Sequence, residues 1–273
     1  MKTWFITGIS RGLGLSIAKA ALSEGDKVIG TVRGAPPSLT GSDDRLCILK
    51  ADMSDPARVA TVVRDAFELA GKIDVIVNNA GYGLLGAVEE STDEELTNLF
   101  AVDVFAPIRI VRAALPYLRS QCSGHIINIT SIAGRAPSVG AALYSAAKHA
   151  VEGFSASLAP EVAPFGIKVT AVAPGQFRTD FLAAGSIRMS RGESAAYGES
   201  VGKTISALGE VSRHQLGDPD RATRAILKVA RADDPPVHLL LGSDALNRSR
   251  SKIDAVLGEM AAWERWTVST DFE

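Results

Sequence analysis

Tyr144 and Lys148 stand four positions apart in the run YSAAK. On a helix, such an i, i+4 pair shares one face. A free tyrosine hydroxyl has a pKa near ~10 and is a poor acid or base at neutral pH. A nearby ammonium stabilises the phenolate and lowers that pKa. The pair is therefore a chemically sensible proton donor and acceptor. The same spacing on a solvated helix face would do nothing, so the pair needs companions. Ser131, thirteen positions before Tyr144 in IINITSIAG, follows an apolar strand-like run. That puts it at the carboxyl end of a strand, where open parallel sheets bind ligands. NNAG (Asn78 to Gly81) and APGQFRT (Ala173 to Thr179) end two further apolar runs.

A second candidate lies near the start, in TGISRGLG from Thr7 to Gly14. It follows an apolar run and precedes a helical pattern, the setting of a phosphate-cradling loop. Glycines let the backbone turn tightly and approach a phosphate, and a helix N-terminus points N–H groups at the anion. Gly8, Ser10, Arg11, Gly12 and Leu13 are thus candidate cofactor contacts. Taken alone, the loop is weak evidence, and a plain strand-to-helix turn is the lesser alternative. It holds no G-K-[ST], which argues against a nucleoside triphosphatase.

The elements that must hold these residues alternate along the chain. Strand-like runs fall at Thr3–Thr7, Lys27–Val32, Leu46–Lys50, Ile73–Asn78, His125–Thr130, Ile167–Ala173 and Val237–Leu241. Helical patterns lie between most of them. Leu13–Ser23 carries Leu15, Ala18 and Leu22 on one face, and Asp55–Ala70 carries Val59, Val62, Val63, Ala66, Phe67 and Ala70. That period packs one stripe on a core. Pro56 sits where a first-turn proline is tolerated. A helix holding Tyr144 runs to about Pro164. Repeated strand–helix–strand units predict an α/β fold with a doubly wound parallel sheet, and the near-continuous apolar strands suit it. No linker divides the chain, so residues 1–273 are expected to form one domain. From about Phe181 to Leu216 the alternation lapses into Gly, Ser and Arg, which predicts a substrate lid; a surface insertion is the plainer alternative.

Together these motifs resemble the short-chain dehydrogenase/reductase family over about residues 3–180, with a weaker tail. The carriers are T-G-x-x-x-G-x-G, Asp52 in ADMSD, N-N-A-G, Ser131 with Tyr144-x-x-x-Lys148, and Pro174-Gly175. More loosely, the chain looks like bacterial members of the hydroxysteroid and retinol dehydrogenase branch. The resemblance implies a Rossmann-type sheet of about seven strands and hydride transfer between a nicotinamide and a carbonyl or alcohol. Tyr144 would be the acid in reduction and the base in oxidation, and Ser131 would hydrogen-bond the substrate oxygen. Lys148 would bind the nicotinamide ribose and lower the Tyr144 pKa. Asp52 and Met53 would line the adenine pocket. Asn79, Ala80 and Gly81 would border the adenosine ribose, and Pro174, Gly175 and Thr179 would flank the nicotinamide. Members often pair through the helices that contain Tyr144 and follow Asp103, so a homodimer or homotetramer is expected.

Two positions refine this. NAD-binding sheets of this type place an acid at the end of the second strand, for the ribose 2′-hydroxyl. Here that place holds Val32, followed by Arg33, and Arg11 projects from the glycine loop. Two guanidiniums and no acid suit a 2′-phosphate. NADP(H) is therefore the expected cofactor, with NAD(H) the alternative and a merely solvated Arg33 the plainer reading. The other position is Asp103 in FAVDVFAP, where the family usually has Asn. That Asn helps hold a water linking Lys148 to solvent. Asp is nearly isosteric but charged, and it lacks the amide donors. Asp103 is expected to fill the role in part, against a purely structural Asp or a weakened enzyme.

The bulk numbers fit a soluble globular protein: 46% hydrophobic residues, 22% charged and a formal net charge of −2. No basic excess suggests a nucleic-acid partner, and NRSRSK (Asn247 to Lys252) reads as a solvated helix face. No apolar run reaches the ~20 residues that span a bilayer. Two cysteines, Cys47 and Cys122, make no disulfide framework and fit a reducing, cytoplasmic setting. The four histidines show no metal-ligand spacing. Tyr82, Leu84, Leu85, Val139, Phe181 and Leu182 suggest a lipophilic alcohol or ketone as substrate, although they would serve equally as core. A non-catalytic NADP(H)-binding regulator on the same fold is the competing function.

Overall fold

The computed structural model describes every residue except 38, 40–43, 179–185, 191, 193–194, 212–214 and 273, and at 195, 210 and 211 the backbone alone. Seven strands form one parallel sheet: β1 (Thr3–Ile6), β2 (Lys27–Val32), β3 (Leu46–Lys50), β4 (Val75–Asn78), β6 (Gly124–Ile129), β7 (Ile167–Pro174) and β9 (His238–Leu241). Their order is β3-β2-β1-β4-β6-β7-β9. These are the seven runs expected from the sequence, with β4 starting at Val75 rather than Ile73. The order reverses between β1 and β4, which opens a crevice above their carboxyl ends.

Successive strand residues face opposite sides, so the sheet feeds two cores. Phe5, Ile76 and Ile126 point to one face, under Val59, Val62 and Val63 of α2 (Pro56–Ala70), Ile110 and Leu118 of α4 (Ala106–Gln121), and Leu158 of α5 (Ala142–Val162). Trp4, Ile6, Val75, Val77 and Ile127 point to the other, under Ile17 and Ala21 of α1 (Gly12–Ser23) and Ile226 and Leu227 of α7 (Pro219–Ala230). This is a single doubly wound Rossmann-type domain.

Local sequence explains the element ends. Asp55 caps α2 by accepting from Ala57 N and Arg58 N, and Pro56 occupies its first turn. Thr92 and Glu95 form a capping box on α3 (Asp93–Phe100), so the acids there belong to a solvated first turn. In α1 the buried stripe is Ile17, Ala18, Ala21 and Leu22, and Leu15 is only half-buried. The expected face was rotated, because α1 must sit beneath α7 as well as on the sheet.

One feature had no expectation. β5 (Gly83–Leu85) pairs in parallel with β8 (Ile187–Met189), tying the segment after NNAG to the region after β7. α6 (Lys203–Val211) follows, and α8 (Ser243–Val268) closes the described chain. Among the described residues, no helix is long and apolar enough to cross a membrane.

Candidate active site

The loops after β1 and β4 are locked together by side chains. Thr7 Oγ1 accepts from Asn79 N and Ala80 N, each at 3.0 Å. Asn79 Nδ2 donates back to Thr7 O at 2.9 Å and Gly8 O at 3.1 Å. Gly8 has φ +74°, and a Cβ there would press on Ala80. A Cβ on Gly14 would collide with Asn79 Nδ2 and the Gly8 carbonyl. Bare backbone is therefore required where the loop turns into α1. Arg11 occupies the N-cap of α1 without a side-chain cap hydrogen bond. The first-turn N–H groups of a helix have no intrahelical partners.

Ser131 ends β6 and caps a 3-10 turn, Ile132–Gly134, with Oγ accepting from Ala133 N at 3.1 Å. Gly134 lets that turn lie against the Lys148 backbone of α5, where a Cβ would come within 2.9 Å. This contact brings Ser131 to the α5 face that carries Tyr144 and Lys148. A side-chain hydrogen bond joins Ser131 and Tyr144. Lys148 Nζ lies 5.6 Å from the Tyr144 ring centre and donates to Ile129 O at 3.3 Å.

Behind Lys148 sits Asp103, on a single π-helical turn (Ala101–Phe105) between α3 and α4. Such turns often mark functional sites. The Asp103 carboxylate lies 3.0 Å from Lys148 Nζ and accepts from Tyr82 N at 3.1 Å. Its side chain is wholly buried. Gly81 makes room for it, since a Cβ there would come 2.9 Å from Oδ2. Asp103 does not reach the cavity wall.

These charges decide the tyrosine. Burial raises the Tyr144 pKa, Lys148 pulls it down, Asp103 pushes it up again, and the Ser131 hydrogen bond lowers it; the net direction is upward. Lys148 lowers it as expected, but a buried phenolate loses solvation and Asp103 offsets the ammonium, so the net shift is upward. Burial opposes the Lys148 charge as well, but Asp103 and Tyr144 hold its pKa above the ordinary value.

One cavity of about 560 Å³ runs past all these groups. Gly8, Ser10, Arg11, Gly12 and Leu13 line one end, with Arg33, Asp52 and Met53. Asn79, Ala80 and Gly81 line the middle, and Ser131, Tyr144, Lys148, Pro174 and Gly175 the other end. Thr179, Phe181 and Leu182 lie outside the described residues, as do parts of the expected lid. Tyr82 and Leu85 reach the wall. Alternation along β5 turns Leu84 into the core, the alternative the sequence left open, and Val139 is exposed within a surface turn and is not part of the lining.

Asp52 accepts from Ser54 N at 2.9 Å and Ser54 Oγ at 2.7 Å. Burial opposes its charge, but these bonds and Arg33 hold its carboxyl below the usual range. Sequence reading missed Arg188, Gln215 and Arg248 in the lining, and Asp244 behind it. Arg188 lies over the Tyr82 ring at 4.2 Å. Gln215 is 1% exposed, and neither atom of its side-chain amide has a hydrogen-bond partner among the described residues. Asp244 accepts from Gln176 N at 2.8 Å, and Arg248 donates to Ala136 O. The acid in the first turn of α8 was the one available signal.

The glycine cradle, the helix N-terminus and the cationic end together fit a dinucleotide. Residues 2–188 match the family described as short chain dehydrogenase. Oxidoreductase BOA17 of Botryotinia fuckeliana (strain B05.10) is 37% identical over 98% of this chain and 99% of its own. A short-chain dehydrogenase from Streptomyces avermitilis, known as a crystal structure, superimposes with a TM-score of 0.89 at 40% identity, covering 99% of this chain and 100% of the other. ElxO with NADP bound superimposes with a TM-score of 0.75 at 26% identity, covering 90% and 99%.

Proposed function

The chain belongs to the short-chain dehydrogenases, a family of oxidoreductases, and from that membership we propose an NADP(H)-dependent enzyme that moves a hydride between nicotinamide and a carbonyl or secondary alcohol. The observation that carries this is convergence: Ser131, Tyr144 and Lys148 meet the glycine loop in a single cavity. When bound, the nicotinamide supplies or accepts the hydride. Phosphates would rest on Gly8, Ser10 and Gly12 and on the first turn of α1 at Leu13. Asp52 and Met53 would hold the adenine, and Asn79, Ala80 and Gly81 its ribose. Pro174, Gly175 and Thr179 would flank the nicotinamide, with Lys148 on its ribose.

In reduction, Tyr144 donates its hydroxyl proton to the substrate oxygen, and Ser131 stabilises the charge that develops there. The raised pKa keeps Tyr144 protonated at neutral pH, the form that donates in reduction. Arg11 and Arg33, with no acid at Val32, favour the 2′-phosphate of NADP(H); ElxO with NADP bound is a related example. Tyr82, Leu85 and Phe177 suit a lipophilic substrate. The Gln215 amide would meet a polar group that both donates and accepts, because a buried amide without partners is costly. Residues 181–216 would act as the lid.

The test is NADPH oxidation across a panel of ketones and aldehydes. Tyr144→Phe should lose about 10²–10⁴-fold in kcat. Unchanged turnover in that variant would remove Tyr144 from the chemistry. Binding of NADPH with no turnover on any substrate would favour the regulator.

A further inference from the structure

α8 runs from Ser243 to Val268, about 39 Å at ~1.5 Å per residue. Its first turns are held to the body, with Ala245 and Ser249 buried and Asp244 and Arg248 bonded as above. From Ser251 to Val268, every residue but Val256 is exposed. Ile253, Leu257, Met260 and Trp263 are each more than half exposed. Helices in proteins draw most of their stability from packing an apolar face, and among the described residues this face is left exposed.

The apolar positions follow a seven-residue period. With Leu246, Ile253 and Met260 at position a, position d falls on Ser249, Val256 and Trp263, and position e on Arg250, Leu257 and Glu264. Apolar a and d positions with charged flanks make a helix-pairing seam.

We propose that α8 pairs antiparallel with α8 of a second copy of this chain, across a two-fold axis near Leu257. In an antiparallel pair, e positions face e positions. Centring on Leu257 sets Arg250 opposite Glu264 of the second copy, twice, and Leu257 opposite itself. The core layers then join Ile253 to Trp263 and Val256 to Met260. The antiparallel pair opposes Glu259, at position g, to itself once, whereas a parallel pair sets Glu259 against Glu264 twice and forms no Arg250–Glu264 pair. An isologous contact of this kind closes on itself. A bilayer is the less suited partner. The helix balances Arg248, Arg250, Lys252 and Arg265 against Asp244, Asp254, Glu259 and Glu264, whereas membrane-surface helices carry a basic polar face. Pairing through α4 and α5 would use none of these residues.

The full-length protein can be tested directly. In a Cys122→Ser background, Leu257→Cys should give a disulfide-linked dimer on mild oxidation. Ala262→Cys, on the outer face of α8, should not. Arg250→Glu and Glu264→Arg should each lower the mass measured by light scattering by one two-fold step, and the double exchange should restore it. Three outcomes overturn the pairing: no cross-link at Leu257→Cys, an unchanged mass in both single variants, or no recovery in the double. Co-sedimentation with phosphatidylcholine–phosphatidylglycerol vesicles that is lost in Leu257→Glu, without cross-linking, would assign the face to lipid instead.

Discussion

Asp103 and Lys148 form a buried ion pair 3.0 Å apart, directly behind Tyr144. Asp103 and burial together outweigh the pull of Lys148 on the tyrosine. In the role proposed for Tyr144, alcohol oxidation uses the phenolate, so its rate should climb as pH rises toward the elevated Tyr144 pKa. Carbonyl reduction needs the protonated form and should decline over the same range. Asp103→Asn removes a charge that raises Tyr144, so the rising limb of the oxidation profile should move to lower pH. The peak kcat should stay within about tenfold, ~1.4 kcal/mol in barrier. A pH–kcat profile checks both, and an unmoved limb would detach Asp103 from the proton chemistry. The proposed NADP(H) preference also rests on single residues. Arg11→Ala and Arg33→Ala should each cut kcat/KM for NADPH about tenfold to a hundredfold, in line with ~1.5–3 kcal/mol for a charged hydrogen bond. NADH should change little. A wild-type preference for NADH would dismiss the two arginines as phosphate ligands.

Elements hold the site because a few polar side chains bind strand ends to loops. Asp26, at the turn between α1 and β2, is 2% exposed. It accepts from Lys2 N, from Trp4 Nε1 at 2.8 Å and from Arg231 Nη2 at 2.8 Å, fastening β1 to the end of α7. Burial opposes its charge, but these bonds hold its carboxyl below the usual range. Its stabilisation is therefore present above the ordinary carboxylate pKa and lost as pH falls. Asp26→Ala should cost about 1–3 kcal/mol, as for a buried donor, Trp4 Nε1, that loses its acceptor, since Arg231 keeps Glu24. Urea unfolding at neutral pH measures this, and a loss within ~0.5 kcal/mol would reduce Asp26 to an ordinary surface acid. Strands and helices were legible because apolar periodicity is local. The rotated face of α1 and the β5–β8 pairing were not, since each depends on a neighbour distant in sequence.

The whole molecule responds to pH through buried groups far from the cavity. His125 is buried beside Thr170, with Nε2 2.9 Å from Thr170 Oγ1. Burial lowers its pKa from 6.5 to about 4, helped by Lys168 and Lys2. Between those values the unfolded chain binds the proton and the folded protein does not. Stability should thus fall as pH drops from 6.5 toward 4, by up to ~1.4 kcal/mol per pH unit. Thermal melts across that window should flatten in His125→Gln. An equally steep loss in the variant would place the sensitivity elsewhere. His125 carried no signal of burial in its own sequence beyond its place at the start of an apolar run.

The parallel sheet, its seven strands and the family of the chain could be read from sequence, because glycine spacing, apolar runs and the Ser131, Tyr144 and Lys148 pattern are short-range features. The proposed cofactor contacts from Gly8 to Met53 were legible for the same reason. The far end of the cavity was not. Arg188 and Gln215 come from segments without a regular pattern and Arg248 from α8, more than 30 positions further on, and they converge only through packing. The direction of the Tyr144 shift was likewise beyond the i, i+4 rule, which supplies a neighbouring charge but neither burial nor the carboxylate behind it. Local spacing can name a chemistry. The dielectric and charges in which it runs are set by residues that only the folded chain brings together.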